Sequence, residues 1–476
     1  HPDFPVLNHH WASGALFYAA YRVGGFPLVH VFFIVLSFAA FAVFLLAARR
    51  RAVLGAVGFA ALLALPLLAE RTEIRPEVFS YLFAGLFFLI LTKEKTNSGK
   101  NILQNFPPHF IRMKWPRPHP SFAKCLAFVC APKTLFWLLP VIEVLWVNTH
   151  VYFLLGPLLI GAFLVEAFIK NRAAVARFFG VFAATLAATL VNPFGWRALA
   201  DAVGIFRNYG YTLAENQSVW FLERLGMHNP NFLIFKIAIA LLALSFIILL
   251  IKNRRAFPLA HFFIAGGIGT LAVLAERNMA LFGFFLIPLF SENSAGILST
   301  VRSMQVRTVE RSAAFVVALT FLLFVVFAVP RAFPYWRSFG IGLAKENSAA
   351  PAFLREQNIR GPYFNNYDIG GYLIFHLFPR ERVFVDNRPE AYPTAFFQDE
   401  YIPMQTSEEA WREALARYGF NAIVFSHTDA TPWGQAFLRA RMEDRRWVPV
   451  FTDSRVVVFV RRTQEHEALI SQFALP

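Results

Sequence analysis

Four short polar stations interrupt an otherwise apolar chain, and their residue types suit recognition of an anion. The first is Asn8-His9-His10-Trp11, where two adjacent imidazoles can bind phosphate, bind a metal or act as a base. The second is Glu70-Arg71-Thr72-Glu73-Ile74-Arg75-Pro76-Glu77, a turn carrying five charges. Arg75 stands just ahead of a proline and a helix start, where its guanidinium can hold a phosphate through two parallel N–H bonds. The competing account is a solvated turn closed by internal salt bridges. The third is Trp146-Val147-Asn148-Thr149-His150, with Glu143 one turn before Trp146 inside an apolar segment. An ionisable side chain at such a depth is a candidate functional group, or else pairs with a neighbouring arginine. The fourth is Glu276-Arg277-Asn278, a minimal turn in which Arg277 is costly unless it meets an anion of protein or ligand.

The elements that must position these stations are membrane helices. The chain has 476 residues, 57% hydrophobic, with 56 phenylalanines and only 16% charged residues. A soluble domain usually carries about 25% charge, so a water-soluble, disordered or disulfide-framed chain is excluded. Apolar runs that approach or cross the hydrocarbon core fall at 27–48, 52–69, 77–92, 134–149, 152–169, 178–192, 231–251, 256–275, 278–291 and 312–330. The expected fold is a multi-pass α-helical membrane protein of about ten helices with a C-terminal soluble α/β domain. Its parts are an outer loop and interfacial helix over 1–26, a helical bundle over 27–330 and an extracytoplasmic domain over 331–476. Residues 11–25, with Trp11, Phe17, Tyr18 and Tyr21, suit a helix lying on the membrane surface.

Charge sets the orientation. After residue 330 basic and acidic residues balance at 17 each, so the whole net charge of +15 belongs to the first 330 residues. There it punctuates the apolar runs, which excludes a nucleic-acid partner. Arg49 to Arg51, the Lys93–Lys133 loop, Lys170 to Arg177, Lys252 to Arg255 and Arg302 to Arg311 form the more basic alternating set and are assigned to the cytoplasm. The four stations and the C-terminal domain then lie outside. An outside start to the first helix implies an upstream helix. Polar residues within the spans gather near the outer ends, Lys236 being the main exception.

Cys125 and Cys130 are too isolated for a metal site or a disulfide framework and are expected to be reduced. Gly266, Gly267 and Gly269 lack the strand–loop–helix setting of a dinucleotide loop and are expected to pack helices closely. Beyond 330, helices are expected near 351–358, 370–378, 407–418 and 433–446, and strands near 361–367, 382–386, 421–426, 448–451 and 456–461. Asp368, Asp386 and Arg388 fall at expected strand ends, where open α/β sheets bind ligands, although such residues also cap helices and shape turns.

Six segments in this order, NHHWASGALFYAAYRVGG, RPEVFSYLF, LWVNTHVYFLLG, LVNPFGWRAL, ERNMALFGFFLIPLF and FNNYDIGGYLIFHLFPRERVFVDNRPEAY, resemble the bacterial branch of the GT-C superfamily of integral-membrane glycosyltransferases. That branch includes lipopolysaccharide galacturonosyltransferases and protein mannosyltransferases, and the resemblance covers nearly the whole chain. It implies a bacterial inner-membrane enzyme, inverting, that moves a sugar from a polyprenyl-phosphate donor to a glycan, lipid or protein acceptor on the outer face. It also implies a catalytic Asp in the first outer loop, upstream of His1; Asp3 is not matched to it. Where similar sequences have Asn-His-Glu-Trp, His10 replaces the acid.

On this reading Arg75, His150 and Arg277 bind the donor phosphate. His9, His10, Glu143, Asn148, Asn278, Asp368, Asp386 and Arg388 are candidate pocket residues. No cofactor is fixed, and a divalent metal is left open. Two rival readings are a transporter or flippase of lipid-linked sugars and a non-catalytic envelope assembly protein.

Overall fold

The computed structural model describes residues 8, 10–49, 52, 54–71, 73–96, 135–204, 210, 211, 213–254, 257–298, 312, 319, 340–343 and 348–475. The expectations for His9, Cys125, Cys130 and the spans at 312–330 lie outside, or almost wholly outside, this set.

Eleven described helices matter for the first of two compact units. They are α1 (Trp11–Ala48), α2 (Leu54–Ala69), α3 (Glu77–Thr96), α4 (Leu139–Thr149), α5 (Leu155–Lys170), α6 (Arg172–Ala188), α7 (Trp196–Val203), α8 (Val219–Arg224), α9 (Pro230–Lys252), α10 (Leu259–Leu274) and α11 (Met279–Leu298). Among the described residues four helices are long and apolar enough to cross a membrane: Trp11–Ala48, Val151–Lys170, Pro230–Lys252 and Glu276–Leu298. This is fewer than the nine expected within those residues. The runs at 52–69, 134–149 and 256–275 form the shorter apolar helices Leu54–Ala69, Leu139–Thr149 and Leu259–Leu274. The last is 16 residues, or about 24 Å, against a core of about 30 Å. Of the other two described runs, the first lies in α3, a 20-residue helix that also includes Glu77, Lys93 and Glu94, and the second largely in α6, which has 17 residues and includes Arg172 and Arg177. The segment at 278–291 goes the other way and joins a 23-residue helix.

The expected boundary between interfacial helix and first span is visible as a kink. Gly24 and Gly25 leave helical geometry, and Gly25 has φ +63°, a conformation that only glycine adopts readily. Pro27 follows and cannot donate into the ladder. α9 starts where Asn229 accepts a hydrogen bond from the Asn231 amide and Pro230 fills the first turn. Its core-facing Phe235 packs edge-on against Phe282 of α11. Of the glycines of α10, Gly266 and Gly267 do not seal a helix contact, since a Cβ on either would meet nothing within 4 Å, whereas Gly269 is buried and its Cβ would lie 3.7 Å from Ile239 on α9.

The second unit contains Gly210, Tyr211, Leu343 and residues 348–475 among those described. Its helices are α12 (Ala349–Glu356), α13 (Gly370–Leu377), α14 (Glu408–Tyr418), α15 (Pro432–Glu443) and α16 (Glu467–Phe473), and its strands β1 (Tyr363–Asn365), β2 (Ala422–Ser426), β3 (Trp447–Thr452) and β4 (Val456–Arg461). The sheet order is β1-β2-β4-β3. β1 runs parallel to β2, with Phe364 opposite Ile423, and the other pairs are antiparallel. β2 is buried throughout, as a central strand should be. Pro449 sits on β3, an edge strand where its missing N–H is tolerated, beside a register shift. Helix α14 begins as its sequence predicts: Ser407 accepts from the Ala410 amide, Glu408 and Glu409 fill the first turn, and Gly419 closes it at φ +64°. The strand expected over 382–386 is absent. Phe384 N–H instead donates to the Asn365 side chain and Val385 accepts from it, so this segment is tied by a side chain rather than a ladder.

Candidate functional site

All four stations converge at one end of the bundle. His150 caps the C-terminus of α4, and its Nδ1 lies 2.7 Å from Ser80 Oγ on α3. Ser80 also accepts from Trp146 Nε1 at 2.7 Å, and the Tyr152 amide points at the same imidazole nitrogen from 3.5 Å. Trp146 and the Tyr152 amide can only donate. The self-consistent arrangement therefore has Ser80 donating to Nδ1, so the proton of the neutral ring sits on Nε2. His10 stacks on this imidazole with ring centroids 5.1 Å apart.

Tyr152 carries the chain of bonds onward. Its hydroxyl donates to Asn278 Oδ1 at 2.7 Å, and Asn278 Nδ2 donates to Leu271 O at 2.9 Å. Asn278 is buried and closes the turn that holds Arg277. Asn148 plays a different part from the expected one. Its amide nitrogen donates to Val144 O and Val191 O, and its oxygen accepts from Trp11 Nε1 at 2.9 Å. It ties α1, α4 and the end of α6 together, leaving little capacity for a substrate.

The charged turn is a closed network. Arg71 forks onto Glu77, at 3.0 and 2.5 Å, and reaches Glu215 at 2.8 Å. Arg75 meets both oxygens of Glu215, at 3.1 and 3.0 Å, and Glu73 at 2.5 Å. Glu70 accepts from Asn229 at 3.0 Å and from Asn231. Burial opposes the charge on Arg71, but Glu77 and Glu215 outweigh it and raise its pKa. Burial likewise disfavours ionised Glu215, yet Arg71, Arg75 and Arg277 pull its pKa below the usual carboxylate range. Arg75 is therefore not the unpaired cation expected from the sequence: two protein carboxylates already hold it.

Arg277 differs. It makes no hydrogen bond or contact ion pair among the described residues, and its Nε is buried without a partner. It lies within electrostatic reach of Tyr152 and Glu215. The turn bearing it is pinned beside Glu215 by the Glu276 amide, which donates to Gln217 O at 2.9 Å. A half-buried guanidinium with open donors beside a rigid polar wall can take an oxyanion.

Glu143 does not join this group. It is fully buried, seven residues and about 10 Å along the helix from His150. Both its oxygens lack partners among the described residues. Its neighbours are Gly156 and Phe87, so it faces a helix contact rather than a substrate pocket. Nor do polar residues keep to one end. Near the opposite end of α10, His261 lies 3.2 Å from Glu292, Glu166 accepts from the Ala260 amide, and Arg177 pairs with Glu94 at 2.5 Å. Asn293 donates to Ser245 close by in sequence to that pair. Lys236 is held by Glu223.

Asp368, Asp386 and Arg388 belong to the second unit. Arg388 forks onto Asp386 at 2.9 and 2.5 Å, and the Asp386 amide donates to Tyr392. This pair shapes a turn. Asp368 is exposed; burial of its carboxyl and then Asp429 nearby raise its pKa. No group of three His, Cys, Asp or Glu among the described residues is placed to hold a metal ion.

Sequence reasoning passed over Ser80, Tyr152 and Glu215. Ser80 was findable, three residues after Glu77 on the same helix face. Glu215 had no local signal, since it meets Arg71 from 144 residues away. No protein-family model, curated protein or solved structure matches the chain.

Proposed function

We propose that the Arg277 end of the bundle binds the phosphate of a polyprenyl-phosphate sugar and that the protein transfers the sugar to an acceptor hydroxyl. The observation that carries this reading is Arg277 itself, a cation without a contact partner among the described residues, beside the bonded series Trp146, Ser80, His150, Tyr152 and Asn278. In a chain whose described residues include four helices able to cross a membrane, the natural anion at such a place is a lipid phosphate. The finer parts of the reading are an external C-terminal α/β domain, which the charge pattern suggests, and a bacterial inner-membrane location and GT-C chemistry, which the resemblance suggests.

In the reaction the acceptor oxygen attacks the anomeric carbon, the bond from that carbon to the phosphate oxygen breaks, and a base takes the acceptor proton. The polyprenyl phosphate leaves. Arg277 opposes the charge that collects on it, with His150 Nε2–H as a second donor on the same wall. Arg71 and Arg75 act one layer back by fixing Glu215. No described residue is assigned as the base.

The test is thermal stabilisation of the purified full-length protein by a polyprenyl phosphate, followed by transfer from polyprenyl-phosphate sugars. A ligand at 100 times its Kd adds about 2.7 kcal/mol. Arg277→Ala should abolish that gain and Arg75→Ala should largely keep it. Equal stabilisation of wild type and Arg277→Ala overturns the reading.

A flippase remains the second reading because of the buried His261–Glu292 pair and its polar neighbours toward the other end of α10. Polar groups at both ends suit a path through the bundle. Movement of a fluorescent lipid-linked sugar between leaflets without product formation would favour it over transfer.

A further inference from the structure

Two helix ends and the turn after the second border a cavity of about 150 Å³ in the second unit. Arg355 stands in the last turn of α12, His376 in the last turn of α13, and Arg380 just beyond it; Leu354 and Leu377 add apolar wall. The backbone here is closed on itself. Pro379 cannot extend α13, and the Glu381 amide donates back to Leu377 O at 3.1 Å. The Ile359 amide donates to Leu354 O at 3.0 Å in the same way. These helix-end carbonyls, which would oppose an anion, are therefore already engaged.

The charge on the wall is mostly positive. Its one carboxylate, Glu381, accepts from Arg360 at 3.2 Å and from the Gly361 amide at 3.1 Å, so it is neutralised from outside the cavity. Arg355 makes no hydrogen bond or ion pair among the described residues. Arg380 spends one nitrogen on Asn358 Oδ1, at 2.7 Å, and keeps its other donors. His376 makes no hydrogen bond among the described residues either. Burial, and then the charge of Arg355, hold its pKa below the ordinary value, so at pH 7 the ring is neutral and offers one N–H.

We propose that this cavity binds a phosphate group, with Arg355 and Arg380 donating to its oxygens and His376 as a third donor. Size and charge both favour it. An apolar cavity of about this volume holds a benzene ring, and a phosphate is no larger. Two guanidiniums with open donors leave the wall with an uncompensated positive charge that an oxyanion meets through charge-assisted bonds. The donors come from α12 on one side and from α13 and the turn after it on the other. That spread suits a tetrahedral anion, with oxygens facing several ways, better than a planar carboxylate.

The experiment uses the full chain in detergent and phenylglyoxal, which modifies accessible guanidiniums, with the rate at each arginine read by peptide mass. A site with a Kd of about 1 mM is about nine-tenths filled at about 10 mM phosphate, so modification of Arg355 and Arg380 should slow about tenfold. Exposed Arg417, outside this cavity, should react at an unchanged rate, and chloride at matched ionic strength controls for screening. Inorganic phosphate, glycerol phosphate and phosphatidic acid in the micelle are compared. Protection by the first assigns the free ion, by the second alone a soluble monoester, and by the third alone a lipid headgroup. Arg355→Gln should cut the protection of Arg380 to less than half, because the two hold one ligand. Arg277→Ala should leave protection at both positions unchanged, which separates this site from the donor-phosphate reading. Slowing of less than twofold at Arg355 and Arg380 with all three probes overturns the proposal, and so does equal slowing at Arg417. Protection by acetate as strong as that by phosphate also overturns it, as does full protection of Arg380 in Arg355→Gln. The rates in the unsubstituted chain decide the outcome if Arg355→Gln fails to fold.

Discussion

Glu143 should be a burden on stability, and replacing it should strengthen the protein. Its carboxyl is fully buried in α4, neither oxygen has a hydrogen-bond partner among the described residues, and the backbone of Gly156 on α5 lies directly against it. Leaving a buried polar group unsatisfied costs about 1–3 kcal/mol. Glu143→Leu removes that cost while nearly keeping the side-chain volume, against a repacking charge of up to about 1.5 kcal/mol. The expected balance is a gain of about 1 kcal/mol, or a Tm rise of about 1 °C for a chain of 476 residues that melts as a whole. Gly156→Ala should act in the opposite direction. A Cβ there would fall 3.0 Å from Glu143 Cδ and 3.1 Å from Phe87, closer still to a carboxyl oxygen, and overpacking of this kind costs about 1–3 kcal/mol. Combining Gly156→Ala with Glu143→Ala opens the space again, so the two effects should fall short of additivity by about 1 kcal/mol or more. Thermal unfolding of the purified protein, followed by tryptophan fluorescence, measures wild type, Glu143→Leu, Glu143→Ala, Gly156→Ala and the Gly156→Ala/Glu143→Ala double variant. A Tm lowered by Glu143→Leu would show that the carboxyl has a stabilising partner, and the reasoning from its isolation would fail.

Other outcomes follow from the same contacts. Arg71→Ala should cost about 3–5 kcal/mol, because it leaves Glu77 buried without its guanidinium, whereas Arg75→Ala, at a more exposed pair, should cost less than about 1 kcal/mol; thermal melts of the two variants check the contrast. Glu215 has a depressed pKa in the folded protein, so its stabilisation is complete above the ordinary carboxylate value and is lost as pH falls through the lower folded value. Melts from pH 7 down to about 3 should show an acid loss that Glu215→Gln flattens. Gly370→Ala should loosen the second unit by about 1–3 kcal/mol or more, since a Cβ at that site would lie 2.8 Å from Asp386 Cβ and closer to the backbone beside it. Faster limited proteolysis within 348–475 is the readout.

Much of the fold is legible in the sequence, and the misses have physical causes. Helix α14 could be read to the residue because its cap, acidic first turn and closing glycine are all local. The β3–β4 hairpin was legible to within one residue at each end of β3, since its turn at Asp453 is held by that residue's own side chain, which accepts from the amides of Arg455 and Val456. Among the described residues the span count falls short of the expectation because hydropathy alone does not set helix length: α4 and α10 have 11 and 16 residues, and Lys93 and Glu94 lie inside α3. The strand at 382–386 failed because alternation of apolar residues is satisfied equally by a segment bonded to one buried asparagine.

At the candidate site, the stations were legible as places but not as partners. Arg75 and Arg277 look alike in sequence, each in a short charged turn. Glu215, distant along the chain, engages the first at contact distance and only approaches the second. Burial of Glu143 was expected, but its isolation was not, because pairing depends on which helix faces it.

The order of the sheet sets how the second unit can assemble. β4 lies between β2 and β3, so these two strands have no ladder to each other without it. During synthesis β1 and β2 can pair once residue 426 has appeared, but β3 has no sheet neighbour until Val456–Arg461 leaves the ribosome. A nascent chain stalled or cut before that point would hold a two-stranded ribbon with one buried-type strand open along its edge, a form prone to join a second copy. The last strand made is thus the one that turns a sticky intermediate into a finished sheet.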